Sequence, residues 1–291
     1  MATKKTRGFF KLMKILAIET TGPNASVALI NENREVEEVT SDKTLSHLQN
    51  LIPMIDDLLE KCKLKIGDVT HIAVSEGPGS FTGIRIGMAT GKALAQALDL
   101  PAISVPTLRS FAWNTPDFPG LICPLFDARR DQVYAGAYYW GEGRCYQAVR
   151  DDAWSLEGFL SEVLAVDPEH KKAIRFFGDG IRVFEGALRE WAISTERLSA
   201  NDDMSRILAE PERRLQRAAS VAMAALQITE SGGSKDYELL RPVYLRKAEA
   251  ERKLAAKGTD PVGAKSTKGT DPLGAKSTKG TDPLGAKSTK G

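Results

Sequence analysis

The chain has three cysteines and three histidines in 291 residues. Cys62, Cys123 and Cys145 are an odd number at wide spacings, so they offer neither a disulfide framework nor a C-x-x-C pair. Such sparing use fits a reducing compartment, and a cytoplasmic location is the expectation. His47, His71 and His170 are equally scattered, and no H-x-x-x-H or Cys/His cluster exists, so no metal site is expected within this chain. No apolar run approaches the ~20 residues needed to span a bilayer, which argues against a membrane role. The first twelve residues have Lys4, Lys5, Arg7 and Lys11 but no acid and no apolar core, unlike a secretory signal. They read as a disordered extension, with Met13 a second candidate start. No G-x-S-x-G elbow or G-x-x-x-x-G-K-[ST] loop occurs, so neither a hydrolase nor a P-loop enzyme is indicated.

Charge of one sign is also missing: 40 Lys and Arg face 38 Asp and Glu, a net of +2. That balance hides an asymmetry. Residues 257–291 hold seven Lys and three Asp, or +4, which leaves about −2 for the rest. This tail repeats KGTDPVGAKST once and KGTDPLGAKST twice. Each unit has two glycines, one proline and a single sizeable apolar residue, too little to offset its ordering entropy. Residues 253–291 therefore read as a disordered repeat tail, with a weak basic tether for nucleic acid through its lysines as a minor alternative.

What remains has the pattern of an α/β protein. KILAIETT (Lys14–Thr21) is a mostly apolar strand, and SVALI and EVEEVT form a hairpin. Apolar residues from Leu45 to Cys62 recur at the helical period, with Pro53 expected to kink the helix or delay its start. A strand at 71–77, a helix at about 82–98 and a strand near 102–105 follow. The segment LICPLFDARRDQVYAGAYYW reads as two strands about a charged turn. Ser155–Val166 reads as a helix, AIRFFGDGI as a strand ending in a glycine turn, and Arg214–Ile228 as an amphipathic helix. Two units of similar order imply two lobes and a cleft: residues 13–112, residues 113–230, and a closing segment, 231–252, packing on both.

The sharpest motif is SEGPGSFTGIRIGMATGKALAQAL, Ser75–Leu98. Ser80 or Thr82 can cap the helix that follows the glycine turn. Gly83, Gly87, Gly91 and Ala95 fall four apart on one face. Each interior glycine costs up to ~1 kcal/mol against alanine, so a stripe of them implies close packing. The stripe can pack on the chain's own sheet or on another subunit.

The opening MKILAIETTGPNASVAL, the Ser75–Leu98 block, PLFDARRDQVYAGAY and the closing RPVYLRKAEAER together resemble the TsaB (YeaZ) family over most of residues 13–252. The resemblance implies a two-lobed actin-like ATPase (actin/sugar kinase/Hsp70) fold. It further implies a role in forming threonylcarbamoyladenosine in tRNAs that read codons beginning with adenine. In that role the chain is a non-catalytic scaffold that dimerises with and activates a TsaD-like catalytic subunit. A TsaE-like ATPase is a further expected partner, tRNA is met indirectly through the complex, and a homodimer can form when the chain is alone. ATP and metal are expected in the partner subunits, with no cofactor and no catalytic residue here. TsaD-like chains have an H-x-x-x-H metal pair after the corresponding strand; in this chain the resemblance puts Thr107 and Phe111 there. Thr and Phe cannot replace two imidazoles as ligands.

The expected docking face is Leu48, Ile52 and Ile55 with Ile84, Gly87, Met88, Gly91 and Leu94. A bulky residue at Gly91 is accordingly expected to block pairing and spare the fold. Through the resemblance, Glu19, Thr20, Asp127 and Arg129 are candidates for a residual nucleotide site and Gly178-Asp179-Gly180 for an adenosine turn, the alternative being that Glu19 and Asp127 are ordinary solvated or turn carboxylates. The rival function is an autonomous ATP-dependent transferase or kinase of the same fold.

Overall fold

The computed structural model describes residues 12–41, 47–234 and 236–246, with the side chains of residues 47–49 excepted. The leading extension and the repeat tail lie outside the described residues.

The first lobe is built on a five-stranded sheet in the order β3-β2-β1-β4-β5. Its strands are β1 (Lys14–Glu19), β2 (Ser26–Asn31), β3 (Val36–Thr40), β4 (His71–Gly77) and β5 (Ala102–Pro106). β2 pairs antiparallel with β1 and β3, while β4 runs parallel to β1 and β5. β1 is apolar without alternation because both faces are covered. Leu16 and Ile18 meet one cluster, and Ile15 and Ala17 meet another.

Helices α1 (His47–Lys61) and α2 (Phe81–Leu98) cover the first face. α1 contains Pro53 within its bounds, so proline does not mark its start. Ser80 caps α2, its Oγ accepting from the Gly83 N–H at 3.2 Å. Asp99 closes the helix in a left-handed conformation, φ 51°.

The second sheet repeats the plan in the order β8-β7-β6-β9. It comprises β6 (Gly120–Asp127), β7 (Gln132–Gly141), β8 (Arg144–Ser155) and β9 (Ala173–Phe177). β6–β7–β8 is an antiparallel meander, and β9 lies parallel to β6. Residues 207–209 supply a vestige of the fifth strand. The Phe176 N–H donates to Ile207 O (2.7 Å), and the Ala209 N–H donates to Phe176 O (2.9 Å). The duplicated order is the two-lobed actin-like architecture that the resemblance implies. Helices α4 (Leu156–Ala165) and α5 (Ile181–Ser194) cover one face through Phe159, Val163, Ile181 and Leu188. The short α3 (Thr107–Ser110) and the helical turn after it cover the other through Leu108 and Phe111.

Three features differ from the sequence reading. β8 and α5 were not anticipated: β8 mixes charge with apolar residues, and α5 follows a glycine turn without a side-chain cap. The helix at 214–228 starts later, as α6 (Ala218–Glu230). More important, α6 does not belong to the second lobe. Its Val221, Ala222, Ala224 and Ala225 seal the second face of the first sheet, so the chain returns to the first lobe after about residue 217. The reason is a small-residue face, which lets a helix lie close on β1 and β2.

The closing segment follows α6 onto the first lobe. Leu240 is 2% exposed in the α1–α2 cluster, and the Val243 N–H donates to Glu76 O at 2.8 Å. Residues 247–252 lie outside the described residues.

Candidate functional site

A cleft of about 490 Å³ opens between the lobes. Thr21, Gly22, Gly79 and Ser80 form its first-lobe wall, and Asp127, Ala128, Arg129 and Asp179 form the opposite one. Gln216, between the lobes, completes the lining. A second hollow of about 570 Å³ shares Pro23, Asp127, Arg129 and Asp179 with it.

Glu19 and Thr20, expected at this site, lie beneath the wall rather than on it. Both are buried, and neither lines the cleft. The Glu19 carboxylate accepts from Thr21 N–H (2.5 Å), Thr21 Oγ (2.6 Å) and Ser75 Oγ. Thr20 Oγ donates to Gly83 O at 2.7 Å. Their work is to fix the β1–β2 turn against the start of α2. Burial pushes the Glu19 carboxyl above its ordinary 4.5, opposed by those hydrogen bonds.

The folded chain therefore keeps a proton that the unfolded chain releases as pH rises past that ordinary value. Glu19's contribution is full below the unfolded pKa and is lost as pH climbs through the raised one. Glu19→Gln cannot ionise, so its stability relative to wild type should improve as pH rises above about 4.5, as urea denaturation at a series of pH values would read. A gap independent of pH would remove Glu19 from this account.

Asp127 and Arg129 do stand in the cleft, as expected. Asp127 Oδ1 accepts from Arg129 N–H at 2.7 Å and caps the turn. The Arg129 side chain is 86% exposed and meets Asp127 Oδ2 at 3.4 Å. Arg129, Arg130 and Asp131 all hold left-handed φ of 64°, 57° and 58°. The turn thus has a backbone that favours glycine but side chains that crowd it. Asp179, at the candidate adenosine turn, is pushed up by burial and by the Asp127 charge, while an N–H bond from Asp127 opposes the shift. Gln216 was missed by sequence reasoning. It is buried, and its Oε1 has no hydrogen-bond partner among the described residues.

Thr107 and Phe111 occupy packed positions. Thr107 Oγ accepts from Gly77 N–H at 3.2 Å, and Ser110 Oγ donates to Thr107 O at 2.7 Å. Phe111, 1% exposed, sits against Phe126 and Phe177 with ring centroids 5.5 and 5.8 Å away.

The expected docking face needs correction. Ile55, Ile84, Gly87, Met88 and Gly91 are buried on the chain's own sheet. A methyl group at Gly91 would overlap Val74, and one at Gly87 would overlap Thr20 Oγ. The glycine stripe lets α2 settle onto β1 and β4; it does not face another subunit. Leu94 is half-buried and Ile52 is 49% exposed, while the Leu48 side chain lies outside the described residues. The solvent side of the two helices instead carries Ile52, Pro53, Ala89 and Ala93, with Phe81 and Arg85 at the start of α2.

No helix among the described residues is long and apolar enough to cross a membrane.

Comparison with known proteins agrees with this layout. The family model described as TsaD, tRNA N6-adenosine threonylcarbamoyltransferase, matches residues 38–254. The tRNA threonylcarbamoyladenosine biosynthesis protein TsaB of Escherichia coli is 30% identical over 251 residues, 84% of this chain and all of that one. TsaB of Bacillus subtilis is 39% identical over 148 residues, 51% of this chain and 65% of that protein. The solved YeaZ of Pseudomonas aeruginosa superposes with a TM-score of 0.60 at 25% identity, covering 80% of this chain and 99% of its own. With a relative matched from end to end and the two-lobed fold shared, this chain belongs to the TsaB (YeaZ) family.

Proposed function

We propose that the chain acts in the formation of threonylcarbamoyladenosine in tRNA, as a non-catalytic subunit that pairs with a TsaD-like catalytic subunit. Membership of the TsaB family supports the pathway. The observation that carries the non-catalytic role is the packing of Thr107 and Phe111. Where the resemblance places a metal-binding histidine pair, this chain has a threonine bonded to backbone and a phenylalanine inside an aromatic cluster. Neither side chain offers a ligand at that place. Metal and ATP then belong to the partner subunits, among them a TsaE-like ATPase, and tRNA meets the assembly rather than this chain alone.

The pairing surface is the solvent side of α1 and α2, centred on Ile52, Ala89 and Ala93. Small residues there allow a partner helix to approach, and Ile52 supplies apolar area to bury. Ile52→Asp combined with Ala93→Asp should lower co-purification with the TsaD-like subunit at least about tenfold, since buried charge without a partner is costly. Modified adenosine in tRNA should fall with it, while the melting temperature of the isolated chain stays unchanged. Undiminished pairing would move the interface elsewhere.

The open cleft keeps one rival in view, an autonomous ATP-dependent transferase or kinase. Calorimetry with ATP and magnesium on the isolated chain separates the two. Tight binding, or threonylcarbamoyl transfer to tRNA without a companion protein, would favour the enzyme.

A further inference from the structure

Residues 241–246 leave the first lobe's core at Leu240 and run along the start of α2 toward the other lobe. Three contacts anchor them. The Val243 N–H donates to Glu76 O at 2.8 Å. The Tyr244 ring packs on Phe81 at 5.1 Å, and its hydroxyl accepts from Arg85 Nε at 3.1 Å. The Arg85 guanidinium lies 3.8 Å over the same Phe81 ring, so phenylalanine, arginine and tyrosine form one exposed stack. Gly77 makes room for this path: φ is +112° there, and a methyl group would stand 2.5 Å from Val243 O. The segment ends on the second lobe, where Arg246 Nη1 donates to Ala128 O at 2.8 Å.

Ala128 lies in the β6–β7 turn and lines the cleft, as does Phe81 on the opposite wall. Among the described residues, other bonds tie the opposite end of β7 to the segment that joins the lobes and to α6. Trp140 Nε1 to Ala112 O (3.2 Å), Arg109 to Cys145 O (3.3 Å) and Gln227 to Gly143 O (3.3 Å) join the β7–β8 hairpin to α3, α6 and the turn between them. Asn114 Nδ2 to Arg213 O (2.7 Å) and to Leu215 O (3.2 Å) ties the two chain crossings together. These bonds make a hinge at the back. The Arg246 bond spans the front, where a small rotation about that hinge gives the largest displacement.

We propose that residues 241–246 are a latch that holds the two lobes at this separation across the cleft, with the Arg246 guanidinium as its catch. Among the described residues the strap is fixed to the first lobe by several contacts and to the second by a charge-assisted bond to a backbone carbonyl. Breaking that bond would loosen the hold on the second lobe while the strap stays docked. Any molecule that takes the Arg246 guanidinium, or repacks the Phe81–Arg85–Tyr244 stack, would open the cleft from a distance. The proposal rests on geometry within this chain and stands whether or not it pairs with a TsaD-like subunit.

Interlobe distances between spin labels at Asp57→Cys and Glu162→Cys, in a Cys62→Ser background, test it on the full chain. Arg246→Ala should widen the distance distribution and raise hydrogen exchange at the Arg129–Gln132 amides about tenfold. Arg246→Lys keeps a donor and should recover most of the wild-type distribution. Arg246 is half-buried and belongs to none of the core clusters, so neither variant should disturb the melting temperature. A distribution in Arg246→Ala identical to wild type would overturn the latch. So would a widening that lysine fails to reverse, since that would mark lost packing rather than a lost bond.

Discussion

Gly83→Ala should cost at least about 3 kcal/mol of stability, read as a lower urea midpoint at unchanged slope. The added methyl would overlap the Thr20 carbonyl oxygen and stand 2.9 Å from the carbon behind it. Both are backbone atoms and cannot rotate away. The loop they belong to is fixed on every side. Thr20 Oγ bonds Gly83 O at 2.7 Å, Ser80 N–H bonds Thr21 O at 2.8 Å, and Glu19 holds Thr21 from below. Relief therefore means lifting α2 off its sheet. Gly186 in α5 is the internal control: a methyl there meets nothing within 4 Å. Gly186→Ala should stabilise by about 0.5–1 kcal/mol, the helical preference alone. Equal, small effects at the two positions would refute the close approach of α2 to the β1–β2 turn.

Phe111→Ala should be nearly as damaging, at about 3–5 kcal/mol, because it empties a position enclosed on all sides. The ring touches Phe126 and Phe177, so its loss opens a cavity between the second sheet and the segment that joins the lobes. Denaturation of the purified variant measures the cost. A loss under ~1 kcal/mol would mean the site collapses freely, and that Phe111 is not the packing residue argued above. Because the resemblance puts Phe111 at the place of a metal-binding histidine, the result also bears on the proposed function. A position that carries this much fold stability is committed to structure.

Much of the fold was legible because its signals are local. The unbroken apolar run of Lys14–Glu19 marks a strand covered on both faces, and the glycine turn with Ser80 marks the start of α2. Asp127 and Arg129 were named through the resemblance, whose second phosphate loop falls at this turn, and both line the cleft. Other features have no local signal. The glycines of α2 announce that something comes close, but only the fold shows that it is Thr20 and Val74. A leucine at Gly91 would thus strike the chain's own core rather than a partner. The lobe boundary failed for a related reason. The small residues of α6 specify a tight interface, while the sheet that fills it, 190 residues earlier in the chain, is set by topology. Gln216 was invisible for want of any motif; its burial beside the cleft arises from the second crossing between lobes.

The second sheet's outer strand has one more consequence. β8 spans twelve residues and, among the described residues, has a strand neighbour on one side only. A straight strand of that length would offer a foreign polypeptide a ruler of free amides to zip onto, the first step toward fibrils. β8 is not straight. Its register slips against β7 on both sides of Ala137, where β8 carries extra residues, and Arg150 and Asp152 pair beside the slip at 2.7 Å. These irregularities break the ruler into short lengths, so the lobe can leave an edge bare in a crowded cell without recruiting its neighbours.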